Sequence, residues 1–184
     1  MRKIAAKRQS AAAIGRRAVV FLIAGLLLAA TSRAAPDPAY IIGSIYKGAS
    51  TTGMAFGLDP KERHQYFSKS TAALWDKADK IANPNGDEVG AIDFDITTNS
   101  QGAEVKSWSI VSSSTDGNTA TVVVKLVLDN WIRNSPDDDV IRYHFVLEDG
   151  RWLINDVGST ADGKPWTLLE LLAINSQDRA RTKE

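Results

Sequence analysis

The residues able to do chemistry are few and widely spaced. The 184-residue chain has two histidines, His64 and His144, and no cysteine. Two imidazoles without thiols do not make a structural zinc site, and disulfides and thiolate nucleophiles are excluded with the cysteine. Nothing in the sequence has the form of HExxH, a phosphate-binding P-loop, GxGxxG or a GxSxG elbow, so no cofactor is implied.

His144 lies in IRYHFVLEDGRWLIND, residues 141 to 156. Its alternation is broken once by Asp149-Gly150, a strong short-range hairpin signal because a type I′ turn needs positive φ at both central residues. Two-residue closure puts Leu147 opposite Trp152, Phe145 opposite Ile154 and Tyr143 opposite Asp156 on one face, which is the buried one. His144 then takes the other face, opposite Asn155 and beside Arg142. A bulge at Glu148 would swap the faces.

Asp156 on so apolar a face needs a partner or a raised pKa. Tyr143 supplies a phenol that could donate to it. The pair reads either as a structural hydrogen bond near the end of the sheet or as a polar spot in an apolar cavity. Tyr143 and Asp156 are therefore the catalytic candidates, and with Trp152 and Trp131, an aromatic at a strand end, the ligand-binding candidates.

In AIDFDI, Asp93 and Asp95 fall on one face of an expected strand, with Ile92, Phe94 and Ile96 on the other. Carboxylates at i and i+2 are close enough to share a metal ion or a proton, and they equally well charge an edge strand against aggregation. No other ligand is tied to that strand. The run Asp137, Asp138, Asp139 lacks the spaced ligands and glycine of a calcium loop and reads as a solvated turn. His64 sits among charges in KERHQYF and reads as exposed.

The elements that must position these residues follow from caps and periods. Asp37 and Pro38 open a helix carrying Ile41, Ile42, Ile45 and Tyr46, with Gly48 as its stop. STTGMAFG reads as loop, and Asp59-Pro60 repeats the cap before KERHQYF. Ser70 to Ala82 places Ala73, Leu74, Ala78 and Ile81 at helical spacing, and NPNG ends it. The period then changes to two: AIDFDI, EVKSWSIV, TATVVVKLVL and the hairpin give an antiparallel meander of about five strands. SSSTDGN and NSPDDD are its other turns. PWTLLELLAI is a short closing helix with Thr167 as its cap, and residues 175 to 184 form a polar flexible tail.

Residues 1 to 34 read as a bacterial Sec-type signal peptide: six bases and no acid before the apolar run AVVFLIAGLLLAA, then small residues at Ser32 and Ala34. The alternative is an uncleaved anchor. Cleavage leaves 15 bases against 22 acids, a net charge of −7, which argues against nucleic acid and against anionic lipid as partners. The expectation is a periplasmic or secreted α+β domain over residues 35 to 174, with N-terminal helices on one face of an antiparallel sheet.

The motifs IDFDITTNSQG, ATVVVKLVL, RYHFVLEDGRWLINDV and WTLLELL resemble those of small secreted bacterial proteins, mostly uncharacterised, with the nuclear transport factor 2-like fold. The resemblance covers residues 36 to 174. It implies helices over a strongly curved sheet that forms a cone, with a cavity used by some relatives for isomerase or dehydratase chemistry and by many for binding alone. The enzymes among them use an Asp base, or an Asp-His pair, with a tyrosine donor. Tyr143 and Asp156 are the residues that could take such roles here, and an outward His144 departs from an Asp-His mechanism.

Three functions remain open on these grounds. The first is a binding module for a small apolar ligand or a protein partner. The second is a cone-fold isomerase or lyase with Asp156 as base and Tyr143 as donor. The third is a homodimer or other complex formed through the outer sheet face, including Arg142, Leu153 and Val157.

Overall fold

The computed structural model describes residues 35–52, 56–85, 90–129 and 134–181, with 49–52 and 176–181 described by their backbone alone. The leader and Trp131 lie outside the described residues.

Helix α1 spans Pro38–Thr52 and buries Ile42, Ile45 and Tyr46 of the stripe the sequence marks, with Ile41 half-buried beside them. The Asp37 carboxylate accepts the Ala39 N–H at 2.8 Å. Gly48 does not stop the helix, which runs four residues further. A glycine ends a helix when it takes a left-handed conformation; inside one it costs about 1 kcal/mol and is carried by its neighbours' packing.

Helix α2, Pro60–Tyr66, starts at the expected cap, with the Asp59 side chain accepting the Lys61 N–H. Helix α3, Lys69–Ala82, is capped by Ser68, which accepts from Thr71 N–H. Its buried stripe is Thr71, Ala72, Trp75, Ala78 and Ala82, while Ala73 is exposed. The helix is thus rotated from the expected face, so that Trp75, with the largest apolar surface to bury, points inward.

AIDFDI does not form a strand. The Asp95 carboxylate accepts both the N–H and the hydroxyl of Thr97, each at 2.7 Å, and closes a turn over residues 96–99. One isolated bridge, Asp95 to Ser100, remains of the expected ladder. Aspartate offers the backbone a local hydrogen bond that competes with strand pairing, and here it wins.

Five strands run as an open, curved antiparallel meander in chain order. They are β1 Glu104–Asp116, β2 Thr119–Asp129, β3 Val140–Glu148, β4 Arg151–Ala161 and β5 Lys164–Thr167. The expected number is met with a different member, because KPWT joins the sheet where AIDFDI does not. A second Asp-Gly, Asp162-Gly163, turns β4 into β5 with φ of 52° and 75°, as Asp149-Gly150 turns β3 into β4 with 49° and 74°. Helix α4, Leu168–Arg181, follows at once. Thr167 caps it by accepting the Glu170 N–H. The helix passes residue 174, where a polar tail is expected, and Asn175 donates to the Ala91 carbonyl at 2.7 Å.

The core lies on one face of the sheet. Val122 and Val124 of β2, Ile141, Tyr143 and Phe145 of β3, and Ile154 and Val157 of β4 meet Ile42 and Tyr46 of α1, Trp75 of α3, and Leu168 and Leu172 of α4. Burying each such aliphatic side chain contributes about 2 kcal/mol before the entropy of ordering it. This is an α+β protein in which residues of α1, α3 and α4 share one core with a single curved sheet.

Candidate functional site

The β3–β4 hairpin begins as the Asp-Gly turn dictates: Glu148 faces Arg151, Leu147 faces Trp152, and Phe145 faces Ile154. A bulge then intervenes. Asn155 is the extra residue, and beyond it His144 faces Asp156 while Tyr143 faces Val157. The pairing of Tyr143 with Asp156 is therefore corrected, and so is that of His144 with Asn155. His144 is exposed, as the alternation requires, and Asp156 joins it on that side, whereas Val157 turns into the core and leaves the outer face.

The bulge is held by α3. Ser68 Oγ stands 3.0 Å from Asn155 Oδ1, Thr71 donates to the Asn155 carbonyl at 2.6 Å, and the Ser68 N–H donates to the Ile154 carbonyl at 2.8 Å. A bulge whose carbonyl and side-chain oxygen both find partners costs less, and it re-aims the strand beyond it. Nothing within the hairpin's own sequence announces it, because the partners come from a segment some 80 residues earlier.

Tyr143 stays inward and finds a different partner. Its hydroxyl is 2.8 Å from that of Tyr46, which donates its own proton to the Thr97 carbonyl at 2.8 Å. With the Tyr46 proton committed, Tyr143 must be the donor between the two. Both rings are fully buried, and Trp108 stacks on Tyr46 with centroids 5.4 Å apart. Burial pushes both phenols well above their ordinary range, and the neighbouring Asp95 charge raises them further. Burial also raises the Asp95 carboxyl, against the hydrogen bonds from Thr97 and Thr98 that draw it down.

Asp95 is thus half-buried and close to the tyrosine pair, while Asp93 is exposed, with its carbonyl and one carboxylate oxygen 3.4 and 3.3 Å from the Gln101 side-chain amide. The two carboxylates do not share a strand face. Among the described residues no three histidine, aspartate or glutamate side chains converge as a metal site would require.

Asp156 sits between strand and helix. Its Oδ1 accepts the Leu169 N–H at 3.1 Å, in the first turn of α4, and the Val157 N–H at 2.9 Å. Burial raises its carboxyl above the usual range; those hydrogen bonds and His144 oppose the rise, and Glu170 adds to it. Trp152, the other described ligand candidate, packs half-buried against the core.

Two further polar centres are structural. Arg63 is buried across the Trp75 ring at 4.6 Å, and its guanidinium takes Asp76 and Asp79 at 2.7 Å each. His64, exposed as expected, reaches the second oxygen of Asp76 at 2.8 Å. Asp138, expected in a solvated turn, is buried instead and ties together two turns by accepting from Thr160, Gly163 and Ser135. Its burial raises the carboxyl, and these hydrogen bonds, with one from Asp162 N–H, outweigh that and hold it below the usual range.

The arrangement defines a sheet-and-helix protein with a buried polar spot between α1 and the sheet, Tyr46 and Tyr143 beside Asp95. Two of those residues were not marked as partners by the sequence: Tyr46 is one hydrophobic position among four on α1, and only its depth over β3 gives its hydroxyl a role. No protein-family model, curated protein or solved structure matches the chain. Among the described residues no helix is long and apolar enough to cross a membrane.

Proposed function

We propose that the protein is an exported, periplasmic binding module of the nuclear transport factor 2-like cone class, which holds a small apolar molecule or a partner protein. The observation that carries this reading is the tyrosine pair. Two phenols with a defined donor direction stand among apolar side chains between α1 and the sheet, and one or two polar groups in apolar surroundings are what orients a ligand. Both hydroxyls are paired within the protein, so a ligand would engage them by exchanging one of these hydrogen bonds. The basic, then apolar, leader and the acidic remainder support export and argue against a nucleic-acid partner.

Native mass spectrometry of the protein taken from its own compartment tests the reading. A retained small molecule or a second protein is the expected result, and loss of a small adduct in Tyr46→Phe would locate it. A bare monomer under gentle conditions would overturn it.

One observation favours an isomerase or lyase as a second reading. Asp95, its carboxyl raised by burial, lies close to both phenols and would serve as the base, with the tyrosines stabilising a developing oxyanion. Activity unchanged in Asp95→Asn would remove it. A homodimer or a protein complex through the outer sheet face draws on Val111 and Val127, which are 57% and 51% exposed. A monomer at all concentrations in light scattering would exclude the dimer.

A further inference from the structure

The two edges of the sheet are built differently. At one edge β5 is 4 residues long, holds Lys164 and Pro165 and runs straight into α4, all devices that keep an edge from pairing. At the other, β1 runs for 13 residues, and among the described residues no strand lies on its open side. Between Lys106 and Asp116 it holds no charge, proline or glycine. Register shifts at Lys106 and Val111 bend the strand, but beyond the second its pairing with β2 is regular from Ser112 to Asp116. Val111 to Asp116 are all exposed.

The β1–β2 turn decides which backbone groups face outward. Gly117, at φ 57°, and Asn118 form a two-residue loop, so Asp116 and Thr119 are a hydrogen-bonded pair. Alternation then directs the N–H and C=O of Ser114 and Ser112 to β2 and those of Ser113 and Thr115 to the open side. The far side of β2 agrees: Leu147 donates to the Asn118 carbonyl and Leu126 to that of Asp139, so the even-numbered positions serve β3 and the odd-numbered ones β1.

A second copy of the same strand fits this edge. With the copies antiparallel about a two-fold axis at Ser114, Thr115 of each meets Ser113 of the other, and each such pair exchanges both its backbone hydrogen bonds without taking one from β2. Asp116 then stands opposite Ser112, and the two Asp116 residues fall roughly 13 Å apart, beyond the screening length at physiological salt. Val111, 57% exposed, stands opposite Gly117, where an added Cβ would touch nothing, so there is room for its side chain.

We propose that the protein pairs with a second copy of itself through the open edge of β1, as a two-fold dimer centred on Ser114 whose sheet continues from one copy into the other. The inference rests on the dimer reading above and moves the contact from the outer face to the edge. It is independent of what the tyrosine pair binds. About five residues a side, against the roughly 20 to 30 of a standard interface, make it a weak dimer in exchange with the monomer.

Light scattering from micromolar to millimolar concentration, with two kinds of variant, tests the edge. The wild-type mass should rise from monomer toward dimer. Ser113→Pro removes an N–H that serves only the open side, so it should weaken association about tenfold or more while leaving the melting temperature close to that of the wild type. The chain has no cysteine of its own. Ser114→Cys should therefore give a disulfide-linked dimer under mild oxidation, because facing residues of a non-hydrogen-bonded pair have Cα atoms about 4.5 Å apart. Ser109→Cys, equally exposed on the same strand but far from its copy, should not. A monomer at every concentration would overturn the proposal together with the outer-face dimer. A dimer indifferent to Ser113→Pro, or equal cross-linking of the two cysteine variants, would overturn the edge contact alone. Should Ser113→Pro fail to fold, the cysteine pair decides.

Discussion

The hydroxyls of Tyr46 and Tyr143 stand 2.8 Å apart in the core although the residues are 97 positions apart in the chain. The contact fastens α1 to the centre of the sheet, and its direction makes the two phenols unequal. Tyr143→Phe removes a donor and leaves Tyr46 still bonded to Thr97, at a cost of about 1 kcal/mol. Tyr46→Phe strands both the Tyr143 hydroxyl and the Thr97 carbonyl, so about 2 to 4 kcal/mol is expected. Urea unfolding of the two variants measures the order; equal losses would refute the assigned direction. Both phenols are raised in the folded state, so the stability they lend is complete below the ordinary tyrosine value near 10 and is lost as pH climbs above it. The double phenylalanine variant should lose less stability between about pH 9 and 11 than the wild type.

The buried Arg63 anchors α2 to α3. Arg63→Met keeps much of the apolar stem over Trp75 but leaves Asp76 and Asp79 without the guanidinium, with only the exposed His64 imidazole still beside Asp76. Removing one partner of a buried ionic set costs about 3 to 5 kcal/mol, here at the low end because both carboxylates are partly exposed. The measurement is the denaturation midpoint. Replacing all three, Arg63→Met with Asp76→Leu and Asp79→Leu, should recover part of the loss; a triple variant no more stable than the single one would contradict an electrostatic origin.

Asp138 makes a different pH prediction. Its folded carboxyl is held below the ordinary aspartate value of about 3.9, so its stabilisation is present above that value and fades as pH falls beneath it. Thermal melts of the wild type should show a decline below about pH 4 that Asp138→Asn blunts. The variant should also be less stable at neutral pH, because the amide cannot accept from Thr160, Gly163 and Ser135 as the carboxylate does.

How much of this was legible in the sequence depends on how local the cause was. Asp37, Asp59, Thr167 and the Asp149-Gly150 turn act within a few residues, and each does what its type and position require. Failures arise where a side chain answers to something distant or to a rival local bond. Asp95 turned a promising strand into a turn by capturing Thr97. Asp138 sank because Thr160 and Gly163 come to it from another hairpin. Asp156 changed sides because α3 supports a bulge at Asn155. The expected pairing of Tyr143 with Asp156 gives way in consequence: Tyr143 faces inward across from Val157, and its hydroxyl meets a tyrosine on the first helix.

Ser68 concentrates that long-range support in one hydroxyl. It caps α3 by accepting the Thr71 N–H at 3.2 Å, stands 2.9 Å from the Thr71 hydroxyl, and reaches Asn155 at the bulge. Ser68→Ala should cost about 1 kcal/mol for the lost cap and about as much again for the side chain of Asn155 left without this partner. A capping loss alone would stay within α3, so the discriminating measurement is local. Hydrogen exchange should rise both at residues 69–73 and along β4 from Ile154 to Gly158, and an effect confined to the helix would show that the bulge stands without Ser68.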